Sequence, residues 1–134
     1  MKKGYTDNIE DRTLENTDFR RVLYTGAHMQ LVVMCLQPGE EIGAEVHPDI
    51  DQFFRVEKGT AKLLIDGVEH ALGHDEIAIV PAGAEHNVIN AGDGPLQLYT
   101  LYGPPEHRDG TVHATAEIAE KQHEADHYDG KPTE

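Results

Sequence analysis

Short β-strand patterns follow one another along most of this chain of 134 residues. Between Phe19 and Tyr102, runs rich in Val, Ile, Leu, Phe and Tyr are each ended by Gly, Pro, Asn or Asp. Such spacing is typical of an all-β sandwich or barrel, and it predicts about eight or nine strands. The predicted strands cover residues 20–25, 28–36, 50–56, 60–66, 68–72, 76–80, 85–90 and 96–102. A type I′ hairpin is predicted at Asp66-Gly67, because Gly tolerates positive φ.

The two ends of the chain differ from this middle part. Residues 1–18 are polar, and we expect them to form an irregular N-terminal arm. Such an arm could cross onto another subunit. Residues 19–103 are expected to form a single barrel domain. Residues 104–134 are expected to form a loop and then a short helix. That helix should begin after an N-cap at Thr115, carry a Glu117–Lys121 pair, and end near Asp129.

Composition excludes some classes of partner. With 25 acidic and 11 basic side chains the formal net charge is -14, so phosphate backbones are repelled and a nucleic-acid partner is not expected. No stretch approaches the ~18 apolar residues of a membrane span, and the N-terminus lacks a secretion pattern, so we expect no membrane partner and a cytoplasmic location. A neutral or metal-chelating ligand is easier to accommodate than an anionic one. An anionic ligand would need a local cluster drawn from Arg12, Arg20, Arg21, Arg55 and Arg108.

Two segments contain side chains that are common metal ligands. Glu45 and His47 are two residues apart, so on a strand they share one face and converge on one point. His86 lies in a later predicted strand and would reach the same cavity from another direction. The sequence therefore predicts a mononuclear metal site.

In the next predicted strand, side chains alternate between the two faces, and this alternation indicates which residue could be a further metal ligand. Asp51, Arg55 and Glu57 share one face of this strand, whereas Gln52 and Phe54 share the other. Because Arg55 and Glu57 belong in water, Gln52 is expected to point inward. Gln52, rather than the carboxylate of Asp51, is therefore the predicted fourth ligand.

These residues lie in two motifs that resemble those of the cupin family. The first motif usually has Gly, five residues, His-x-His, three or four residues, Glu, six residues and Gly. The second has Gly, five residues, Pro-x-Gly-x-x-His, three residues and Asn. The matching residues are Gly39, His47, Gln52 and Gly59 in the first motif and Pro81, Gly83, His86 and Asn90 in the second. Asp75 stands where the second motif begins with Gly.

The resemblance implies a cupin double-stranded β-helix, which is a jelly-roll barrel, and one divalent metal ion inside it. Glu45 replaces the first His of the usual ligand set and Gln52 replaces the Glu. Glu45 either supplies the anionic ligand or acts as a base beside a three-ligand metal. The set suits Mn, Fe, Ni or Zn. A homodimer is also expected, because cupin sheets commonly pair.

The chain is similar to small cupins of the phosphomannose-isomerase-like branch, which implies a sugar or sugar-phosphate ligand, although the acidic charge disfavours the phosphate. Isomerase or lyase chemistry on a small hydroxy-carbonyl compound is the leading hypothesis. A non-catalytic metal- or sugar-binding protein and an Fe(II)-dependent dioxygenase are the alternatives.

The remaining histidines have different expected roles. His107 and His113 flank a loop that follows the last strand, and we predict that they act with Glu45 as proton-transfer groups at the barrel mouth. Further along, a set of acidic and histidine side chains has helical spacing and is predicted to be a solvated helix face. Its members are Glu120, His123, Glu124 and His127.

Overall fold

Ten antiparallel strands and two short helices form the fold of this computed structural model, which describes residues 1–134. In chain order the elements are α1 (Ile9–Glu15), β1 (Arg20–Thr25), β2 (Gln30–Leu36), β3 (Glu45–Val46), β4 (Asp51–Lys58), β5 (Ala61–Ile65), β6 (Val68–Leu72), β7 (Ile77–Val80), β8 (Glu85–Asn90), β9 (Leu96–Gly103), β10 (Val112–His113) and α2 (Ala116–Gln122). The predicted all-β class is confirmed. The two strands beyond those predicted, β3 and β10, have two residues each.

The strands form two sheets that enclose one core. The larger sheet has the order β10-β1-β2-β9-β4-β7, and the smaller has the order β3-β8-β5-β6. Buried side chains from both sheets form one apolar cluster that includes Met34, Phe54, Leu63, Val88 and Leu98. Burying a side chain of this size stabilises a fold by roughly 1.5–3 kcal/mol, so this cluster is the main source of stability. Neither helix has the length and apolar character that crossing a bilayer requires.

The predicted hairpin is confirmed. Ile65 pairs with Val68 across a two-residue turn in which Asp66 and Gly67 have φ values of 46° and 80°. Positive φ at both positions is what a type I′ turn requires. The Asp66 side chain also accepts a hydrogen bond of 2.8 Å from the backbone of Glu85, which ties the turn to β8.

The prediction of an irregular N-terminal arm is wrong for its second half, which contains α1. Asn8 caps this helix by accepting a hydrogen bond from the Asp11 backbone nitrogen at 3.0 Å. The Gln97 side chain of β9 donates to the carbonyl oxygens of Leu14 and Asn16, each at 2.9 Å. The arm is therefore held against its own larger sheet.

Strict alternation fails at the end of β4, where Glu57 is buried although the sequence placed it in water. The pairing register of β4 with β9 shifts between Val56 and Lys58, as expected at a β-bulge. Only 5% of Glu57 is exposed, and its Oε1 lies 3.1 Å from Arg55 Nε. The bulge rotates this carboxylate off the outer face, and Arg55 compensates its charge.

The C-terminal helix is shorter than predicted. Thr115 caps α2 as expected, but the helix ends at Gln122 rather than near Asp129. The backbone nitrogen of Arg108 donates to Asp126 at 2.7 Å, and that of Tyr128 donates to Glu106 at 3.0 Å. Because this pairing uses the backbone groups of the segment, the helix cannot continue through it.

Candidate metal centre

Strand pairing places two of the predicted ligands opposite each other. β3 pairs with β8 so that Glu45 lies across from His86. Directly opposed residues of an antiparallel pair have Cβ atoms roughly 4.5–5.5 Å apart. His47 follows β3 directly, and its carbonyl oxygen accepts a hydrogen bond of 2.9 Å from the backbone nitrogen of Gly83. This bond fixes His47 against the turn that leads into β8.

The side chains of Glu45, His47 and His86 converge on one point. One ligand atom from each of the three lies within 4.8 Å of the others. His47 Nε2 is 2.9 Å from Glu45 Oε2, and the rings of His47 and His86 have centroids 5.3 Å apart. The two imidazoles are almost fully buried, with 9% and 3% of their residues exposed. The structure therefore brings together the three residues that the sequence singled out on these strands.

Gln52 points inward, as alternation along β4 predicted, and only 3% of it is exposed. Its side-chain nitrogen donates to the hydroxyl of Thr100 at 3.0 Å, which leaves its oxygen without a hydrogen-bond partner. An unpartnered buried polar atom is costly, and this oxygen belongs to a predicted ligand and carries lone pairs. The Gln52 oxygen therefore fits a metal ion, which accepts such a lone pair.

The outer ring nitrogens of both histidines have acceptors, which is the usual arrangement for metal-binding imidazoles. His47 Nδ1 faces Glu106 Oε2 at 3.5 Å, and His86 Nδ1 faces the carbonyl oxygen of Ala84 at 3.4 Å. Sequence analysis missed Glu106. The only signal was a carboxylate in the loop predicted to reach the barrel mouth, because Glu106 lies outside both motifs.

The charges of Glu45 and His47 shift each other in opposite directions. Burial alone would raise the pKa of Glu45, but its contact with His47 and the nearby charges of His47 and Arg20 outweigh burial and lower it. Burial alone would lower the pKa of His47, but the contact with Glu45 and the charges of Glu106 and Glu45 raise it. Without a metal, this contact therefore favours the ionised carboxylate of Glu45 and the protonated ring of His47.

His86 and Glu106 are dominated by burial. Burial lowers the pKa of His86, so its ring is neutral and has a free lone pair near neutral pH. Burial raises the pKa of Glu106, although the charges of His47 and His127 oppose this shift. The centre therefore combines one carboxylate held ionised with one imidazole held neutral.

His107 and His113 are both buried, and their contacts differ. His107 Nε2 is 3.2 Å from the hydroxyl of Tyr102, and burial lowers the pKa of His107 well below its usual value. His113 has both ring nitrogens engaged, since Nδ1 lies 3.3 Å from an Arg20 nitrogen and Nε2 lies 2.7 Å from Asp126 Oδ2. The Tyr102 ring in turn meets the ring of His47 edge-on, with centroids 6.0 Å apart.

The C-terminal segment contributes a second group of potential ligands, formed by Glu106, His123 and His127. Glu106 Oε1 lies 3.4 Å from His127 Nδ1, and the rings of His123 and His127 have centroids 4.9 Å apart. His123 is only half-exposed. The predicted helix face is therefore wrong beyond Gln122, where α2 ends and the chain folds back onto residues 106–108. Glu124 and His127 are exposed as predicted, but they do not lie on a helix.

A cavity of about 700 Å³ opens beside the centre, between residues 41–45 and α2. Glu45 contributes to its wall from the candidate centre, Glu120 contributes from α2, and His123 contributes from the C-cap of that helix. Arg20 of β1 also lines it. This volume is in the range of small-molecule sites in proteins.

Comparison with known proteins places these features in a family. The model of the family described as Cupin domain matches residues 32–102. Uncharacterized protein YrkC of Bacillus subtilis is 44% identical over 119 residues, which is 84% of this chain and 64% of YrkC. This chain thus spans somewhat less than two thirds of that relative. Mannose-1-phosphate guanylyltransferase of Escherichia coli is 36% identical over 73 residues, which is 54% of this chain and 15% of that enzyme.

A solved structure gives the same result for the whole architecture. The crystal structure of BH2720 from Bacillus halodurans superposes with a TM-score of 0.87 at 43% identity, covering 89% of this chain and 95% of that one. The resemblance seen in the two motifs is therefore confirmed over the barrel and most of its flanking segments. On the matched residues and the shared architecture, the chain belongs to the cupin family.

Proposed function

We propose that this cupin holds one divalent transition metal ion on Glu45, His47 and His86, with the side-chain oxygen of Gln52 as a fourth donor. The proposal rests on the convergence of one carboxylate and two imidazoles, whose ligand atoms lie within 4.8 Å of one another. A set of two imidazoles, one carboxylate and one neutral oxygen suits Mn, Fe, Ni or Zn.

The reaction we propose is isomerisation or lyase chemistry on a small hydroxy-carbonyl or sugar-like compound. A bound divalent ion would act as a Lewis acid that polarises an oxygen of such a compound. The residues of the chain hold the two imidazoles by their outer nitrogens and keep the centre largely out of water. The reaction also needs a side chain that transfers a proton.

Glu45 is the candidate for proton transfer in the alternative arrangement in which it is a base beside a three-ligand metal, because its lowered pKa keeps it ionised at neutral pH and able to accept a proton. His107 would act through the hydroxyl of Tyr102, which lies 3.2 Å from its Nε2. His113 has no free nitrogen, so its contribution would be to orient Arg20. Glu106 would fix the ring of His47 from behind.

A sugar-shaped ligand is supported by one comparison. The E. coli relative is named for mannose 1-phosphate, and it shares 36% identity with this chain over 73 residues. That match covers only a small part of the enzyme, so we take from it only a ligand with the shape of a sugar. The acidic composition of the chain favours an unphosphorylated compound.

Proton exchange in heavy water tests the reaction. Protein loaded with Mn(II) or Zn(II) is incubated with matched aldoses and ketoses, uronates included, in D₂O and followed by proton NMR. We expect deuterium to enter at the carbon next to the carbonyl group as the isomers interconvert. If no exchange occurs with any pair while the metal is bound, the isomerase proposal is contradicted.

Substitution of Glu45 separates its two possible roles. If Glu45 is the base, Glu45→Gln should slow exchange by about 100-fold or more with the metal content unchanged. If it is a ligand, the same variant should bind metal more weakly. Glu85→Gln is the matched control, because Glu85 is the neighbour of His86 on β8 and its side chain is exposed. Glu85→Gln should have the same metal content and the same rate of deuterium exchange as the wild type.

An Fe(II)-dependent dioxygenase is the second candidate, and the two-imidazole, one-carboxylate donor set favours it specifically. Oxygen-electrode measurements on Fe(II)-loaded protein with the same compounds test it, since only an oxygenase consumes dioxygen. Binding of a sugar without exchange and without oxygen uptake would instead identify a non-catalytic binding protein.

A further inference from the structure

Arg20 is a buried cation without a carboxylate partner. Only 3% of the residue is exposed, and its Nε is buried with no hydrogen-bond partner. Its contacts are with His113 Nδ1, at 3.3 Å from one terminal nitrogen, and with the ring of Phe19, whose centroid lies 5.4 Å from the guanidinium carbon. Buried charges in proteins are normally paired, because removing an ion from water costs several kcal/mol. This arginine therefore has a binding capacity that the chain itself does not use.

The position of Arg20 relates it to the metal centre. It lines the same cavity as Glu45, yet the two side chains form no ion pair. Its positive charge contributes to lowering the pKa of Glu45 and also acts on His47 and Tyr102. The guanidinium thus lies near the proposed ligands and beside the space a small molecule would fill.

A chain of contacting side chains, His113 and the half-buried Asp126, holds Arg20 in place. The backbone of β10 pairs with β1 so that His113 lies opposite Arg20. His113 Nε2 lies 2.7 Å from Asp126 Oδ2, so this nitrogen donates to the carboxylate and Nδ1 is left to accept from Arg20. This use of His113 leaves the remaining guanidinium donors available to a ligand.

We propose that Arg20 binds a carboxylate group of the ligand, so that the ligand of this cavity is a hydroxy acid or sugar acid whose hydroxyl or carbonyl oxygen faces the metal centre. The inference rests on the proposed metal site and narrows its ligand class. Arginine matches a carboxylate with two parallel hydrogen bonds.

Phosphate would satisfy the same guanidinium less well. Glu41, Glu45, Glu117 and Glu120 line the cavity together with Arg20. A cavity whose wall carries one guanidinium and four carboxylates suits a ligand with a single negative charge better than one with the two charges of a phosphate monoester.

Matched ligands test this inference by binding rather than by turnover. Metal-loaded protein is titrated by saturation-transfer NMR with glucuronate, galacturonate and glycerate. Each acid is compared with its neutral counterpart, namely glucose, galactose or glycerol. Glucose 6-phosphate and glycerol phosphate supply the phosphate arm. We expect at least one acid to bind about tenfold or more tightly than its neutral counterpart and than its phosphate.

Variants of Arg20 assign the preference to this residue. Arg20→Gln should abolish the preference for the acid, measured as the ratio of the affinities for the acid and for its neutral counterpart, and circular dichroism reports whether the variant is folded. Arg20→Lys keeps the charge but not the paired donors, and should retain part of the preference. Arg21→Gln is the matched control, because Arg21 is the next residue of β1 and its exposed side chain pairs with Asp18.

Metal content, measured on the same samples, separates this inference from the proposed function. A wild-type protein that takes up no metal would contradict the proposed function itself. A metal-loaded protein that binds no acid better than its neutral counterpart would overturn the role of Arg20. If Arg20→Gln lowers Tm but keeps the acid preference, the arginine is structural and the inference is also overturned.

Discussion

Gly59, which follows β4, tests the close contact between the end of that strand and the backbone at the start of β9. It has a φ of 95°, and a Cβ atom added there would lie 2.7 Å from the carbonyl oxygen of Pro95 and 3.0 Å from Cα of Leu96. Both neighbours are backbone atoms at the start of β9, and Leu96 is fully buried. Gly59→Ala therefore cannot be accommodated by rotation of a side chain.

Gly39 isolates the steric part of this effect. Its φ is 81°, so alanine meets a similar backbone penalty of roughly 1–2 kcal/mol, but an added Cβ has nothing within 4 Å. The clash at Gly59 should add about 1–3 kcal/mol, the usual range for overpacking a well-packed site. For a chain of this length 1 kcal/mol corresponds to about 4 °C in Tm. Gly59→Ala should thus melt about 4–12 °C below Gly39→Ala.

Thermal and urea unfolding of the two variants, followed by circular dichroism, measures the difference. Equal losses of stability in Gly39→Ala and Gly59→Ala would refute the reasoning, because they would mean that the approach of Pro95 to Gly59 does not constrain the native state.

Three further predictions concern the centre, the bulge and the assembly. Metal affinity should fall as the pH is lowered through the raised pKa of His47, because the metal needs the neutral imidazole ring. Metal-chelator competition titrations at several pH values measure this, and an affinity that does not change with pH would contradict it. Arg55→Met should lower the free energy of unfolding, measured in urea, by about 2 kcal/mol, because it leaves the buried carboxylate of Glu57 without its cation. Lys62→Met is the control: it breaks only an exposed pair with Glu69 and should lower the free energy of unfolding by under about 0.5 kcal/mol. Gel filtration should show a homodimer that Ile79→Glu dissociates, because Ile77 and Ile79 are exposed on the edge strand β7; a monomeric wild-type protein would rule this out.

Local rules predicted much of the barrel. The strand limits follow from apolar runs and turn residues, and the Asp66-Gly67 hairpin follows from the φ values that its turn demands. Alternation along β4 placed Gln52 inside, where it is found. The same rule failed five residues later at Glu57, because a bulge depends on the pairing with β9 rather than on β4 itself.

Contacts between distant parts of the chain could not be predicted in this way. Glu106 reaches His47, and Asp126 reaches His113, only because the C-terminal segment pairs with residues 106–108. Arg20 was one of five arginines that the sequence offered as candidates for an anion site. What distinguishes it is burial without an ion-pair partner, which depends on the packing of β1 against β10. The helix α1 could have been predicted from its N-cap residue Asn8, but the polar composition of residues 1–18 indicated an irregular segment instead.

The proposed function depends most directly on the binding of a metal ion by His47 and His86. Elemental mass spectrometry of the purified, metal-loaded protein and of the His47→Ala/His86→Ala double variant tests this, with circular dichroism to show that both are folded. We predict about one divalent transition metal ion per chain in the wild type and essentially none in the double variant. A folded double variant that retains its full metal content, or a folded wild type that binds none, would contradict the account.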